Sequence, residues 1–122
     1  MTILNIGSIN WDRVYRVEHF PEPGETLSAI GASVGLGGKG LNQSIAIHRA
    51  GGRVCHVGAI GKGDTQIREA IAGFGLDTDA IIELPDCQTG SALITVDGAG
   101  ENQIILDPGA NARLPRDHCQ RM

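Results

Sequence analysis

Gly37-Gly38-Lys39-Gly40 runs directly into Leu41-Asn42-Gln43-Ser44, a glycine-rich entry to a helical stretch. The first backbone N–H groups of a helix have no partner within it, and the aligned peptide dipoles make that end positive. Glycines leave such an end uncovered, so a docked ligand can reach the main chain. Lys39 adds a donor there, and Asn42 adds both a donor and an acceptor. On spacing alone, the stretch describes a ligand-binding helix mouth and a tight strand-to-helix corner equally well. Further upstream, Ser8-Ile9-Asn10-Trp11-Asp12 reads as a polar loop with apolar residues interleaved.

Other chemistries fail on spacing. Gly35-Leu36-Gly37-Gly38-Lys39-Gly40 is a literal G-x-G-x-x-G. A dinucleotide site needs that motif just after the first strand, with an acidic residue about 20 positions on. Here the first apolar strand lies far upstream, and the acidic candidate Asp64 opens a helix. A Walker A loop fails as well, because Lys39 is followed by Gly40 and not by Ser or Thr. Cys55, Cys87 and Cys119 are odd in number and contain no close pair, which argues against a disulfide framework or a zinc site and for inert thiols. His19, His48, His56 and His118 have no partner at metal-ligand spacing and read as structural or surface residues.

Composition narrows the field further. The 122 residues carry 14 acidic and 10 basic side chains. Only two of the basic residues are lysines, Lys39 and Lys62, and the arginines are scattered, so no footprint for a nucleic-acid backbone exists. No apolar run approaches the roughly 18 residues that span a bilayer. Met1 to Asn5 lacks the basic start and long apolar stretch of a signal peptide, so a cytoplasmic location is expected. Apolar residues at 41% suffice for one core. The 18 glycines are about twice the ordinary share and announce sharp turns and close backbone approaches.

The pattern of apolar residues supplies the elements. Thr2 to Ile6 reads as a buried strand, Arg13 to Val17 as a half-exposed strand, and Thr26 to Leu36 as a further one. A helix follows Gly40 and closes at Gly51-Gly52. Val54 to Ile60 is nearly all apolar, as in a strand covered on both faces. Asp64 or Thr65 can cap a second helix, in which Ile67, Ala70, Ile71 and Phe74 share one stripe. Ala80 to Leu84 is another strand. Ser91 to Val96 and Asn102 to Leu106 flank an Asp97-Gly98 turn, a hairpin signal. Pro108 to Ala112 reads as loop, and a short helix can begin after Pro115. Strands alternating with helices imply an α/β fold with a largely parallel sheet.

Gly7-Ser8-Ile9-Asn10-Trp11-Asp12, Pro23-Gly24-Glu25-Thr26 and Gly37-Gly38-Lys39-Gly40-Leu41-Asn42-Gln43-Ser44 together closely resemble the N-terminal half of the ribokinase family of carbohydrate kinases. The spacing of Gly51 and Gly61, and the segment Gly109-Ala110-Asn111, fit the same family. Gly-Gly-Lys-Gly, in place of the Gly-Gly-Ala-Pro frequent in fructokinase-like members, points to its ribokinase branch. The resemblance covers essentially all of the chain. It implies a ribokinase-like partial parallel sheet with flanking helices, residues 1–122 being the N-terminal portion of one kinase domain. Segments 13–36 and 91–106 would form a small β-sheet lid; the alternative is that these strands join the central sheet.

By the same resemblance, Asn10 and Asp12 contact sugar hydroxyls from the loop after the first strand, and Gly38, Lys39 and Asn42 contact them from the helix mouth. The family uses ATP, Mg2+ and a monovalent cation, and pairs its lids in a homodimer. Its catalytic base is an Asp in a Gly-Ala-Gly-Asp segment. Gly98-Ala99-Gly100-Glu101 is a near-match that reads as a hairpin tip, so this chain is expected to carry the sugar half of a site without catalytic base, nucleotide site or metal site, and to be inactive alone. Lys62-Gly63-Asp64-Thr65-Gln66 departs from the family's usual Gly-x-Asp-x-x-Gly. A nucleoside kinase of the same superfamily and a non-catalytic sugar-binding or dimerisation fragment are the alternatives.

Overall fold

The computed structural model describes residues 1–122. In chain order the elements are β1 (Thr2–Ile6), β2 (Asn10–Arg16), β3 (Gly31–Gly37), α1 (Lys39–Arg49), β4 (Arg53–Gly61), α2 (Thr65–Gly73), β5 (Ile81–Leu84), β6 (Gly90–Val96), β7 (Asn102–Asp107), a 3-10 turn (Gly109–Arg113) and α3 (Arg116–Gln120). The strands form two sheets. One is parallel, in the order β1-β4-β5; the other is mixed, in the order β3-β2-β6-β7. In the mixed sheet β2 pairs antiparallel with β3 and parallel with β6, and β6 and β7 form the hairpin expected around Asp97. The strands of segments 13–36 and 91–106 therefore stand in a sheet of their own and do not join the parallel one.

Two strand boundaries differ from the sequence expectation. Asn10 to Asp12, read as loop, begins β2, because Asn10 pairs with Gly37 on one side and Gly90 on the other. Two flanking ladders satisfy a backbone that looked too polar for a strand. Thr26 to Ile30, read as strand, stays outside one: Ile30 N–H donates to Arg16 C=O at 2.7 Å, and there β2 ends. A ladder stops where its partner does. Pro108 to Ala112, read as loop, contains the 3-10 turn, with Ala110 fully buried.

The core lies between the parallel sheet and the first two helices. Leu41 and Ile45 of α1 and Ile67 and Ile71 of α2 meet Ile9, Ile60, Leu76 and Ile81. Each such side chain contributes about 1.5–3 kcal/mol by leaving water. Asp64 caps α2, its Oδ1 accepting the Ile67 N–H at 3.1 Å. At the entry of α1, Gly38 has φ 96°, a left-handed conformation open to glycine. Just beyond it, a Cβ on Gly40 would stand 2.5 Å from the Gly7 Cα. Backbone meets backbone there, which sets the turn after β1 directly on the mouth of α1.

The histidines are structural or surface, as expected. His19 pairs with Glu25 at the surface, His48 is exposed, and the buried His118 donates from Nε2 to Ala80 C=O at 2.7 Å. The three cysteines are free and half-buried. No helix is long and apolar enough to cross a membrane.

Candidate ligand-binding cleft

Successive residues of a strand face opposite sides of its sheet. On β2 that alternation turns Asn10 and Asp12 to one face and Trp11 and Arg13 to the other. The Asn10 and Asp12 face looks into a cleft of about 490 Å³. Gly38, Lys39 and Asn42 enter the same cleft from the mouth of α1. All five residues named from the sequence are thus brought together, although they come from two segments and two different elements.

Three features hold the polar side in place. Asp12 lies against Gly37, where any Cβ would collide with its carboxylate. Burial raises the Asp12 carboxyl above its ordinary value. Asn111, from the 3-10 turn, accepts the Ile9 N–H on Oδ1 at 2.9 Å, while its Nδ2 donates to Ile9 C=O at 3.1 Å and to Asn10 Oδ1 at 2.7 Å. With that oxygen engaged, Asn10 keeps its own amide N–H groups for a ligand. Gly90 permits this approach, since a Cβ there would run into both asparagines.

The third feature is buried beneath the helix mouth. Asn5 Nδ2 donates to Gly40 C=O and to Ser44 Oγ, both at 2.9 Å. Ser44 Oγ–H donates to His56 Nδ1 at 2.7 Å, and His56 Nε2–H donates to Gly7 C=O at 3.1 Å. A carbonyl only accepts, so the Gly7 contact assigns the proton to Nε2 and leaves Nδ1 to accept. Burial lowers the His56 pKa and keeps the ring neutral. This chain of bonds fastens the turn after β1 to α1, and so fixes Asn10 and Asp12 relative to Lys39 and Asn42.

Opposite the polar side stands an apolar wall, Ala92, Ile94, Ile104 and Leu106. These residues meet across the hairpin, Ala92 against Leu106 and Ile94 against Ile104. A carboxylate, three carboxamides, an ammonium and an apolar wall suit a small neutral molecule with many hydroxyls and one apolar face. Sequence reasoning missed Asn111, Ser8 and this wall. Gly109-Ala110-Asn111 was visible as a motif, but its 101-residue separation from Asn10 concealed what the asparagine holds.

The residues fit a metal poorly. No three His, Cys, Asp or Glu side chains come together as they would to hold an ion. Gly98-Ala99-Gly100-Glu101 is an exposed hairpin turn, in which Asp97 Oδ1 accepts the Ala99 and Glu101 N–H groups at 3.0 Å. It leads into β7 and not into a helix, so no step of phosphoryl transfer is routed through it.

Comparison with known proteins bears on the family and the fold. A profile of the pfkB family of carbohydrate kinases matches residues 2–121. Ribokinase of Haemophilus influenzae is 40% identical over 116 residues, covering 93% of this chain and 38% of that protein. The crystal structure of ribokinase from Thermotoga maritima superposes with a TM-score of 0.86 at 38% identity, covering 96% of this chain and 39% of that one. Ribokinase of Arabidopsis thaliana, solved with ribose and ATP, superposes with a TM-score of 0.77 at 29% identity over 90% of this chain and 36% of that one. The chain therefore spans well under half the length of the relatives it matches.

Proposed function

Because this chain belongs to the pfkB family of carbohydrate kinases, we propose that its cleft is the sugar half of a site in which ATP phosphorylates a sugar hydroxyl. One observation carries the reading: Asn10, Asp12, Gly38, Lys39 and Asn42 converge on a single cleft. Asp12 accepts from sugar hydroxyls, the Asn10 amide donates, the Asn42 amide both donates and accepts, and Lys39 donates. Hydrogen bonds to a charged partner contribute about 1.5–3 kcal/mol each. The ring's C–H face rests on the wall formed by β6 and β7.

The four-stranded sheet, with segments 13–36 and 91–106, acts as the lid. Closed over the sugar, it keeps water from competing for the phosphoryl group. Lids of two copies pair in a homodimer, and the protein works in the cytoplasm. ATP, Mg2+ and a monovalent cation serve the complete kinase; when bound there, the metal would supply charge neutralisation for phosphoryl transfer. Residues 1–122 by themselves bind sugar without turning it over.

Calorimetric titration with D-ribose tests this directly. Asp12→Ala is expected to weaken binding roughly ten- to a hundredfold, as loss of about 1.4–2.8 kcal/mol implies. Unchanged affinity would remove Asp12 from the site, and preference for a nucleoside over ribose would move the reading to a nucleoside kinase. Sugar phosphate formed on adding ATP to residues 1–122 would refute the claim that they do not turn sugar over alone.

A further inference from the structure

The face of β2 turned away from the sugar cleft borders a second cleft, of about 340 Å³, where Trp11, Asp64 and Thr89 meet. None of the three lines the sugar cleft. The indole N–H, which can only donate, reaches Asp64 Oδ2 at 3.0 Å. The Thr89 hydroxyl donates to the same oxygen at 2.7 Å and accepts the Gly61 N–H at 3.0 Å. Capping α2 occupies only Oδ1. The second oxygen is thus spent on β2 and on the residue that leads into β6.

One carboxylate ties together the end of β4, the start of α2, β2 and the entrance to β6. The strands of the two sheets do not pair with one another, so such side-chain fastenings set how the sheets sit. Trp11 lies between Asn10 and Asp12, and Thr89 directly precedes Gly90, the sheet partner of Asn10. We infer that Asp64 is a positioning residue for sugar binding: through Trp11 and Thr89 it fixes β2, the strand carrying Asn10 and Asp12, against the helix mouth carrying Lys39 and Asn42. This rests on the sugar-binding reading above.

The test uses variants that spare the helix cap. Asp64→Asn keeps an oxygen for the Ile67 N–H but cannot accept from both Trp11 and Thr89. Trp11→Phe keeps an aromatic ring while it removes the donor and part of the indole's volume. Each is expected to weaken D-ribose binding about five- to tenfold, the double variant no further than either single one, with Thr89→Ser close to wild type. Wild-type affinity in either single variant, or losses that multiply in the double, would overturn the inference. A wild-type chain that fails to bind ribose refutes the functional reading instead. The clamp is then decided by hydrogen exchange: β2 amides must exchange about tenfold faster in Asp64→Asn while the Ile67 amide keeps its protection, and unchanged β2 exchange overturns it.

Discussion

Asp12 combines two demands that pull against each other. To accept from hydroxyls as a charged group on both oxygens it must be ionised, yet its place against Gly37 takes it partly out of water and raises its pKa above 3.8. Acidification therefore neutralises it at a higher pH than an ordinary aspartate. Affinity for D-ribose is expected to fall as pH is lowered, with a midpoint above 3.8, and Asp12→Asn should abolish that dependence. Titrations across pH on both proteins check it; a midpoint at the ordinary value would show that the carboxylate is solvated when it works. The sign for folding is opposite. A carboxyl with a raised folded-state pKa favours the folded chain as the pH falls. Asp12 and Asn42 were legible through the family resemblance, since spacing alone left the glycine-rich helix entry equally open to a purely structural reading. Asn111 was not, because its function is defined by Ile9 and Asn10 at the other end of the chain.

The junction from β3 to α1 is the element on which the site turns. Gly38 is left-handed at φ 96°, and a Cβ there would lie 2.7 Å from Ser8 C=O. Gly38→Ala thus adds backbone strain of about 1–2 kcal/mol and a collision with a backbone that cannot yield. Gly24, at φ 81°, has open space around it. Urea unfolding should show Gly38→Ala losing distinctly more stability than Gly24→Ala, which carries the strain alone. Equal losses would mean that the turn after β1 moves freely against the helix. The glycine run announced a close approach, and Gly40 against Gly7 is where it occurs. It did not announce that Asn10 to Asp12 would be a strand, since that depends on ladders with residues far along the chain.

At the scale of the whole molecule, two sheets are held in register by small polar networks more than by shared strands. The Asn5-Ser44-His56-Gly7 chain is a further network, which ties α1 to the parallel sheet and to the turn after β1, and it requires a neutral imidazole. His56 has a pKa lowered by burial, so its folded-state value lies below the ordinary one near 6.5. Its contribution is fully present above about 6.5 and is lost as the pH falls through the folded-state pKa. The urea midpoint is expected to drop between pH 7.5 and the acid side of that window, and His56→Gln should flatten the drop. A wild-type midpoint that stays constant through this range would show that the ring accepts a proton without cost. The exposed faces of Ile3, Leu4 and Ile6 on β1, and of Ile104, Ile105 and Leu106 on β7, belong to the same picture, since neither sheet covers them.

What the amino-acid sequence determined by itself was local. Apolar period, caps and glycines dictated the α/β alternation, the hairpin at Asp97 and the helix after Gly40, because each depends on residues within a turn or two. The resemblance added which of those residues to expect at a sugar site. Only the tertiary structure decided that β2 reaches back to Asn10, that Asn111 holds Asn10, that an apolar wall faces the polar groups, and that Asp64 fastens one sheet to the other. Those contacts join positions 25 to 102 residues apart, and a pairing of that kind is chosen by packing of the whole chain and leaves no local trace.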